Sequence, residues 1–175
     1  MNHPARFAFC PLCATPLIRR VDPMSSDILR QACPDAACGF VHWDNPTPVV
    51  AAVVEHEGAI ILARNKAWAA PFYALITGFL EKTDPSPQEA VVREVKEELD
   101  LDAVGVSFIG HYRYERQNQL IVAFHVRATG VITLGEELSE YKRVAPEKAR
   151  YWPVATGLAL RDWLVSQGHD PQPLG

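Results

Sequence analysis

Residues 78–101 read GFLEKTDPSPQEAVVREVKEELDL, and this stretch contains the start, the body and the end of one helix. Ser86 suits the N-cap position, Pro87 suits the first helical position, and Glu89 stands three residues after the cap, where it can complete a capping box. The apolar residues that follow recur at helical spacing. We therefore predict a helix that starts after Ser86 and ends near Leu99.

Apolar and acidic residues occupy different arcs of this helix. One arc carries the apolar side chains Val91, Val92, Val95 and Leu99. The adjacent arc carries Glu94, Glu97 and Glu98, which repel one another at helical spacings of three and four. Arg93 can neutralise part of this charge, and three carboxylates can hold Mg2+ or Mn2+. On spacing alone, a solvated acidic face explains the same pattern and is the commoner case.

Apolar segments before and after the helix predict a sheet. Two strand-sized runs form a first hairpin around residues 56–58, and two more form a second hairpin that turns near residues 116–118. In chain order, the four strands and a closing helix are residues 49–54, 59–63, 106–114, 120–126 and 156–165. Strands, helix, strands and helix in this order predict an α/β fold, a sandwich with helices on either side of one mixed sheet.

The motif in residues 78–101 resembles the Nudix box, Gly-x5-Glu-x7-Arg-Glu-apolar-x-Glu-Glu-x-Gly-apolar. Its core, residues 93–98, matches without exception. Three features depart from the pattern: Asp84 replaces the first glutamate, one extra residue lies between Asp84 and Arg93, and Asp100 replaces the second glycine. The extra residue falls in the loop before the helix, and Asp100 stands where a left-handed residue often ends a helix. The metal-binding core of the motif is therefore intact.

This resemblance implies a Nudix alpha/beta/alpha sandwich in which the box helix holds Mg2+ or Mn2+ over a substrate pyrophosphate. By motif position, Glu94, Glu97 and Glu98 are the implied metal ligands. The Gly78 carbonyl is a further implied ligand, and Arg93 is implied to orient the carboxylates. One carboxylate accepts the proton of the attacking water, and the motif leaves open which one.

Residues outside the helix supply further candidates for the site. The acidic segment 135–140 resembles the part of several Nudix subfamilies that adds one more glutamate, and Glu140 is our choice for this catalytic acid. An exposed loop acid is the alternative, because loops are rich in acids. Five side chains are candidates for substrate binding, namely Phe72, Tyr73, Glu81, Tyr112 and Tyr114. These four rings and that of Trp68 can stack on a base or flavin, although aromatic residues more often lie in the core.

All four cysteines lie near the amino terminus. Cys10 and Cys13 form one knuckle, and Cys33 and Cys38 form a second, on either side of a segment long enough for a small hairpin. Thiolates at such spacings can reach one tetrahedral Zn2+, and four of them leave no open position, so the zinc would be structural. Two disulfides or four unrelated thiols are the alternatives. His42 is interpreted as an ordinary histidine.

A boundary near Asn45-Pro46 divides the chain, and we predict a zinc-ribbon module in residues 1–45 and a Nudix hydrolase domain in residues 46–175. The formal net charge of -4 gives no positive field that would attract nucleic acid. Before Asn45, four arginines are balanced by four aspartates. We therefore expect a nucleoside-diphosphate-type small molecule as partner, and no nucleic acid other than a capped RNA end.

The sequence also bears on location and assembly. No apolar run approaches the length of a membrane span, and the amino terminus lacks the basic and apolar regions of a secretory signal. We therefore expect no membrane partner, a cytoplasmic location and reduced thiols. Because Nudix enzymes commonly pair, the resemblance implies a homodimer.

The four-cysteine ribbon joined to a Nudix domain resembles the branches that hydrolyse NADH, FAD or ADP-ribose. The NADH branch carries Ser-Gln-Pro-Trp-Pro-Phe-Pro after the box, whereas residues 111–120 read HYRYERQNQL here, so NADH specificity is not supported. FAD, NADH, ADP-ribose and a nucleotide-capped RNA end all stay open. The predicted function is Mg2+- or Mn2+-dependent hydrolysis of the pyrophosphate bond in such a compound. The alternative is a catalytically weak nucleotide-sensing or RNA-binding protein on the same scaffold.

Overall fold

The computed structural model describes residues 7–22 and 24–174 of the chain. Contacts between residues divide the chain into two compact units, and the division falls between Asn45 and Pro46. The first unit contains an antiparallel sheet whose strands follow the order β1-β2-β3. These strands are β1 (Ile18–Asp22), β2 (Ser25–Ala32) and β3 (Val41–His42). The β1–β2 hairpin thus lies between the two cysteine pairs.

The second unit is built on a six-stranded sheet in the order β7-β8-β4-β5-β9, with β6 paired to β4. Its strands are β4 (Thr47–His56), β5 (Ala59–Asn65), β6 (Ile76–Phe79), β7 (Asp102–Tyr114), β8 (Gln119–Thr129) and β9 (Leu138–Val144). The β4–β8 pair is parallel and the other pairs are antiparallel. The predicted mixed sheet is therefore confirmed. A short parallel pair, β10 (Arg150–Tyr151) and β11 (Gln172–Pro173), was not predicted.

Two helices, α1 (Pro87–Leu99) and α2 (Thr156–Ser166), cover opposite faces of this sheet. Successive side chains of a strand point to opposite faces, and β4 shows the consequence. Val50 and Val54 pack in one core with the apolar residues of α1. Val49 and Val53 pack on the other face with those of α2. The predicted sandwich is confirmed, with β4 buried on both sides.

The ends of α1 follow the predicted capping signals. The Ser86 side chain accepts a hydrogen bond from the Glu89 N–H at 3.2 Å, and Pro87 occupies the first turn. At the other end Asp100 is left-handed, with φ 55° and ψ 27°, and its N–H donates to the Lys96 carbonyl. Aspartate therefore replaces the box glycine without loss of the helix end.

The buried face of α1 differs in one respect from the predicted arc. Val91, Val95 and Leu99 are fully buried as expected, but Val92 is only half-buried. Ala90 is buried instead, and Glu94 is buried at the border of this face. The apolar arc is thus rotated toward the acidic one, because Glu94 approaches the sheet at Gly78.

The remaining elements extend beyond the predicted segments. Both predicted hairpins are present, and β7 starts four residues before the expected position at residue 106. The closing helix lies where it was predicted, at residues 156–166. None of the helices in the described part of the chain combines the length and hydrophobicity needed to cross a membrane.

Candidate active site

A cleft of about 1260 Å³ opens in the second unit, where β4 and β8 begin and β6 ends. On the α1 side it is lined by Gly78, Arg93, Glu94, Glu97 and Glu98. The segment before β9 contributes Glu136 and Glu137, and Glu81 lies at the same border. The residues that the sequence proposed as metal ligands therefore face one common space.

The carboxylates of this cleft carry negative charge that is only partly compensated. Burial raises the pKa of Glu98 to about 8, and repulsion from Glu94, Glu137 and Glu97 acts in the same direction. Burial also raises the pKa of Glu94, although the neighbouring Arg93 guanidinium opposes this shift. A set of oxygens that repel one another in a cleft is suited to bind cations.

Arg93 connects the loop before α1 to two of the carboxylates. Its Nε and Nη2 atoms donate to the two Asp84 oxygens, both at 3.0 Å. Its Nη1 atom donates to Glu94 at 2.7 Å and to Glu97 at 3.0 Å. The Asp84 carboxylate also accepts from the Glu81 N–H at 2.8 Å. The guanidinium is thus fixed by a bidentate contact, and it holds two carboxylates in turn.

Gly78 allows the Glu94 side chain of α1 to approach the backbone of β6 closely. A Cβ atom built at this position would overlap the Glu94 carboxylate. The position of the Glu94 carboxylate therefore requires a glycine at residue 78, in addition to the ligand role that the motif implies for the Gly78 carbonyl. A side chain at position 78 would displace the carboxylate and leave the helix backbone in place, since the overlapping atoms end a flexible side chain.

The segment before β9 is held against the end of α1. The Gly135 N–H donates to the Glu98 carbonyl at 2.9 Å, and a Cβ atom at Gly135 would lie 2.5 Å from the Glu97 carbonyl oxygen. Asn65 donates to the Glu137 carboxylate at 3.3 Å, and the Lys66 N–H donates to the Glu137 carbonyl at 2.8 Å. These contacts hold Glu137 at the cleft.

The structure does not bring Glu140 to the cleft. Its carboxylate accepts from Arg64 at 2.9 Å, and it also interacts with the Tyr73 hydroxyl, which lowers the pKa of Glu140. Glu136 and Glu137 are the acids of this segment that line the cleft together with Glu94 and Glu98. The sequence alone could not distinguish these acids, because it is the β5–β9 register, with Arg64 opposite Glu140, that places Glu140 outside the cleft.

The aromatic candidates divide into two groups. Phe72 and Tyr114 line the cleft, whereas Tyr73 and Tyr112 are not among its lining residues. The Tyr73 ring lies under Lys142, whose Nζ is 3.7 Å from the ring centroid. The Tyr112 hydroxyl donates to Asp162 at 2.8 Å, which joins β7 to α2. These two predicted substrate-binding tyrosines therefore contact other protein side chains and do not line the cleft.

Two aromatic residues that line the cleft, Phe79 and Trp152, were not among the candidates from the sequence. The Trp152 ring lies edge-on to Phe72 with 5.3 Å between centroids. The Trp68 ring also packs against Phe72, with 5.8 Å between the two ring centroids. No local pattern signals Trp152, because more than seventy residues separate it from the loop that it contacts. The cleft thus has an acidic side and an aromatic side.

Comparison with known proteins decides the family. The model of the NUDIX domain matches residues 44–163, which is more than half of the chain. The chain belongs to the Nudix family.

A protein of Mycobacterium tuberculosis named NAD-capped RNA hydrolase NudC is 35% identical over 132 residues, which cover 71% of this chain and 39% of that protein. A protein of the same name from Stutzerimonas stutzeri is 26% identical over 134 residues, 75% of this chain and 46% of that one. The chain thus spans less than half the length of these relatives.

Solved structures agree on the Nudix fold. A NUDIX hydrolase from Nitrosomonas europaea superimposes with a TM-score of 0.71 at 21% identity, and the match covers 97% of both chains. The NUDIX domain of Shewanella oneidensis NrtR, solved with ADP ribose, gives a TM-score of 0.56 at 13% identity over 77% of this chain and 92% of that one. At these identities the likeness concerns the fold alone.

The unusual Nudix box of this chain now has a structural explanation. Asp84 is one carbon shorter than the glutamate it replaces, and it stands one residue further from Arg93 than the pattern requires. It still forms a bidentate contact with Arg93, which lowers the pKa of Asp84. The extra residue lies in the loop before Ser86, and α1 keeps its register against the sheet.

The cysteines of the first unit form a compact cluster. Their Sγ atoms all lie within 4.8 Å of one another, with Cys10 and Cys38 3.6 Å apart and Cys13 and Cys33 3.5 Å apart. None of them is in a disulfide. Four thiols at this spacing match the donor set of a closed tetrahedral zinc site. A hydrogen bond with Thr15 lowers the pKa of Cys13 to about 6, whereas burial raises the pKa of Cys33. The pKa of Cys38 is raised to about 12 by burial and by hydrogen bonds with the other thiols.

Two local features explain how the second cysteine pair reaches the cluster despite its wider spacing. The Asp35 carboxylate accepts from the Ala37 N–H at 2.9 Å, and the Asp35 carbonyl accepts from the Cys38 N–H at 3.1 Å. This turn takes up the additional residues between the cysteines. His42 packs edge-on against Phe7, with 4.9 Å between the rings, and is not part of the cluster.

Proposed function

We propose that this chain is a pyrophosphohydrolase that cleaves the diphosphate bond of a nucleoside diphosphate derivative with the help of Mg2+ or Mn2+. The observation that carries the proposal is the convergence of Glu94, Glu97, Glu98 and Glu137 on one cleft beside the Gly78 backbone. Membership of the Nudix family supports the same reaction.

The chemistry of the donor set fits hard divalent cations. All donors are oxygens, and the cleft is open enough for substrate oxygens and water to complete the coordination. Burial, followed by repulsion from the neighbouring carboxylates, raises the pKa of Glu98 to about 8. When bound, such cations neutralise phosphate oxygens and lower the pKa of a coordinated water. Glu94, Glu97, Glu98 and Glu137 are the proposed ligands, with the Gly78 carbonyl as a further one.

The residues of the chain would organise the reaction in a definite way. Arg93, fixed by Asp84, holds Glu94 and Glu97, which are thereby pre-oriented. Attack of water on one phosphorus breaks its bond to the bridging oxygen, a carboxylate accepts the proton of the water, and two phosphomonoesters leave. Glu98 makes no ion pair among the residues that the structure describes, so it is available to a cation or to the water.

The proposed substrate is of the dinucleotide type. The aromatic side of the cleft, with Phe72, Trp68 and Tyr114, offers rings to a base or flavin. Relatives named as NAD-capped RNA hydrolases favour the same class. FAD, NADH, ADP-ribose and a nucleotide-capped RNA end are the compounds to test, since each contains the diphosphate bond.

A structural role is proposed for the cysteine cluster. Cys10, Cys13, Cys33 and Cys38 would hold one Zn2+ that stabilises residues 1–45 as a ribbon, while residues 46–175 carry the hydrolase. Free thiols of this kind persist in a reducing compartment, which supports a cytoplasmic location. A homodimer completes the proposal and is tested by the mass in solution.

A substrate panel tests the proposal. FAD, NADH, ADP-ribose and a short capped RNA are incubated with the full chain and Mg2+, Mn2+ or excess chelator, and the products are separated by chromatography. Cleavage of at least one compound into two phosphomonoesters, lost with chelator, is the expected result. Nucleotide binding without any product would instead identify a sensing protein on a Nudix scaffold.

A further inference from the structure

The charges that line the cleft are strongly unequal. Its carboxylates are Glu81, Glu94, Glu97, Glu98, Glu136 and Glu137. Only two lining residues of the described chain are arginines, Arg93 and Arg116. An arginine among so many carboxylates is expected to form an ion pair unless it lies too far from them.

Arg93 and Arg116 differ in what occupies their guanidinium groups. Every nitrogen of Arg93 donates to Asp84, Glu94, Glu97 or the Phe79 carbonyl. Arg116 is exposed, and within the described residues it has neither an ion pair nor a hydrogen bond from its side chain. Its guanidinium is therefore free to bind a ligand.

The acid beside Arg116 in the sequence does not neutralise it. Glu115 pairs with Arg113, with 3.5 Å between the charged atoms. Arg113 belongs to the same hairpin but is not a lining residue of the cleft. Arg113 and Arg116 thus carry the same charge in different surroundings, since Arg116 lines the cleft and Arg113 is paired outside it.

The turn that carries Arg116 is held in place by backbone hydrogen bonds. Asn118 is left-handed, with φ 50°, and its N–H donates to the Glu115 carbonyl at 3.1 Å. The Asn118 carbonyl accepts from the Thr47 N–H at 2.8 Å, which ties the turn to the first residue of β4. Arg116 is thereby anchored at the mouth of the cleft, and Gln117 and Gln119 line the cleft beside it.

The register of the sheet separates Arg116 from the carboxylates. Val49 pairs with Phe79 on one side of β4 and with Ile121 on the other, so β6 and β8 are two interstrand spacings apart, roughly 10 Å. Arg116 lies further along, before the start of β8, whereas the box carboxylates lie beside β6. The two phosphorus atoms of a diphosphate share one bridging oxygen, so they are much closer together than the roughly 10 Å between β6 and β8. A diphosphate bound at the carboxylates would therefore not reach Arg116.

We propose that Arg116 is a specificity-determining residue that binds a phosphate group attached to the ribose of the substrate, beyond the diphosphate that is cleaved. The side-chain amides of Gln117 and Gln119 can donate further hydrogen bonds to the same phosphate. This inference rests on the proposed function, because it assumes that the diphosphate lies at the carboxylates. The phosphate has two sources: a phosphorylated ribose of a soluble dinucleotide, or the first internucleotide phosphate of a capped RNA.

Ligands that cannot be hydrolysed test this proposal independently of catalysis. Adenosine 5′-monophosphate, adenosine 2′,5′-bisphosphate and adenosine 3′,5′-bisphosphate differ only in the additional phosphate. Their dissociation constants are measured with Mg2+ by titration calorimetry for the unmodified chain, for Arg116→Gln and for Arg113→Gln. Arg113→Gln removes the same charge from the same hairpin and serves as the matched control.

The expected result is tighter binding of at least one bisphosphate than of the monophosphate by about tenfold, and loss of this preference in Arg116→Gln alone. A preference for the 2′ isomer indicates a soluble dinucleotide, and a preference for the 3′ isomer indicates an RNA chain. Equal binding of all three ligands, no measurable binding, or an equal loss in both variants would overturn the proposal. Absence of hydrolysis in the substrate panel with a preserved bisphosphate preference would overturn the proposed function alone.

Discussion

The cysteine cluster and the acidic side of the cleft each offer four side chains as candidate metal ligands, and they differ in how much space they leave around an ion. The four Sγ atoms lie within 4.8 Å of one another, and two of the cysteines are buried. Among the described residues, no group of acids gathers its ligand atoms as closely, and the carboxylates line a cleft of about 1260 Å³. A closed thiolate set suits a structural ion, whereas spread carboxylates leave positions for water and phosphate oxygens.

The largest expected effect concerns the carboxylates. Glu97→Gln should lower kcat/KM for the best substrate of the panel by about 100-fold, because it removes one charged oxygen donor from the proposed cation site. Steady-state kinetics at saturating Mg2+ measure this. Glu89→Gln is the control, since Glu89 lies on the same helix, outside the cleft, and glutamine also serves in a capping box. Comparable rates in the two variants would contradict the assignment.

The next effect separates two acids of residues 135–140, namely Glu137, which precedes β9, and Glu140, which lies within it. Glu137→Gln should lower kcat/KM about tenfold, because Glu137 lies in the cleft with the box carboxylates. Glu140→Gln should change it by less than about twofold, since its carboxylate pairs with Arg64 outside the cleft. The opposite order would restore the assignment made from the sequence.

A smaller effect is expected from the contact that replaces the usual box glutamate. Asp84→Asn should lower kcat/KM about fivefold, because a neutral amide holds Arg93 less firmly than the bidentate carboxylate does. Glu81→Gln is the control, because Glu81 lies in the same loop and its backbone N–H still contacts Asp84 in the variant. This variant changes the charge of the loop without breaking the contact between Asp84 and Arg93. An Asp84→Asn variant indistinguishable from the unmodified chain would contradict this role.

The same contact makes a prediction about pH. The hydrogen bonds from Arg93 and from the Glu81 N–H lower the pKa of Asp84 in the folded chain. A lowered pKa stabilises the fold above the ordinary carboxyl value of about 4, and this contribution is lost as the pH falls through the lowered value. Urea unfolding should therefore show a larger stability difference between the unmodified chain and Asp84→Asn at pH 6 than at pH 3. A difference that does not change with pH would argue against the contact.

The smallest effect on turnover is expected at the other metal-type site. Cys33→Ser should reduce the bound zinc, measured by elemental analysis, from one ion per chain to none, because a three-thiolate set no longer closes the tetrahedron. The kcat/KM of the same sample should change by less than about threefold. A loss as large as that of Glu97→Gln would mean that the cysteine cluster takes part in the reaction.

What the sequence could predict follows from the range of the contacts involved. The capping residues and spacing of α1 predict both ends of the helix, since these signals lie within a few residues of one another. The cysteine knuckles are equally local. Both hairpins could also be predicted, because each turn lies between two apolar runs.

The parts that could not be predicted depend on pairing between distant strands. Glu137 rather than Glu140 reaches the cleft because β9 pairs with β5 in one register, and a slip of one residue would reverse the faces. Trp152 joins Phe72 only after the chain has closed around the sheet. The contact between Arg93 and Asp84 depends on the path of an irregular loop, which the periodicity of apolar residues in the sequence does not describe.

The most direct test of the account is a crystal of the chain grown with Mn2+ and AMP and measured at a wavelength where manganese scatters anomalously. Anomalous peaks are expected in the cleft, at about 2.2 Å from carboxylate oxygens of the box helix, with Glu137 close by. Manganese absent from the cleft, with Glu94, Glu97 and Glu98 contacting only solvent and Arg93, would contradict the proposed metal site.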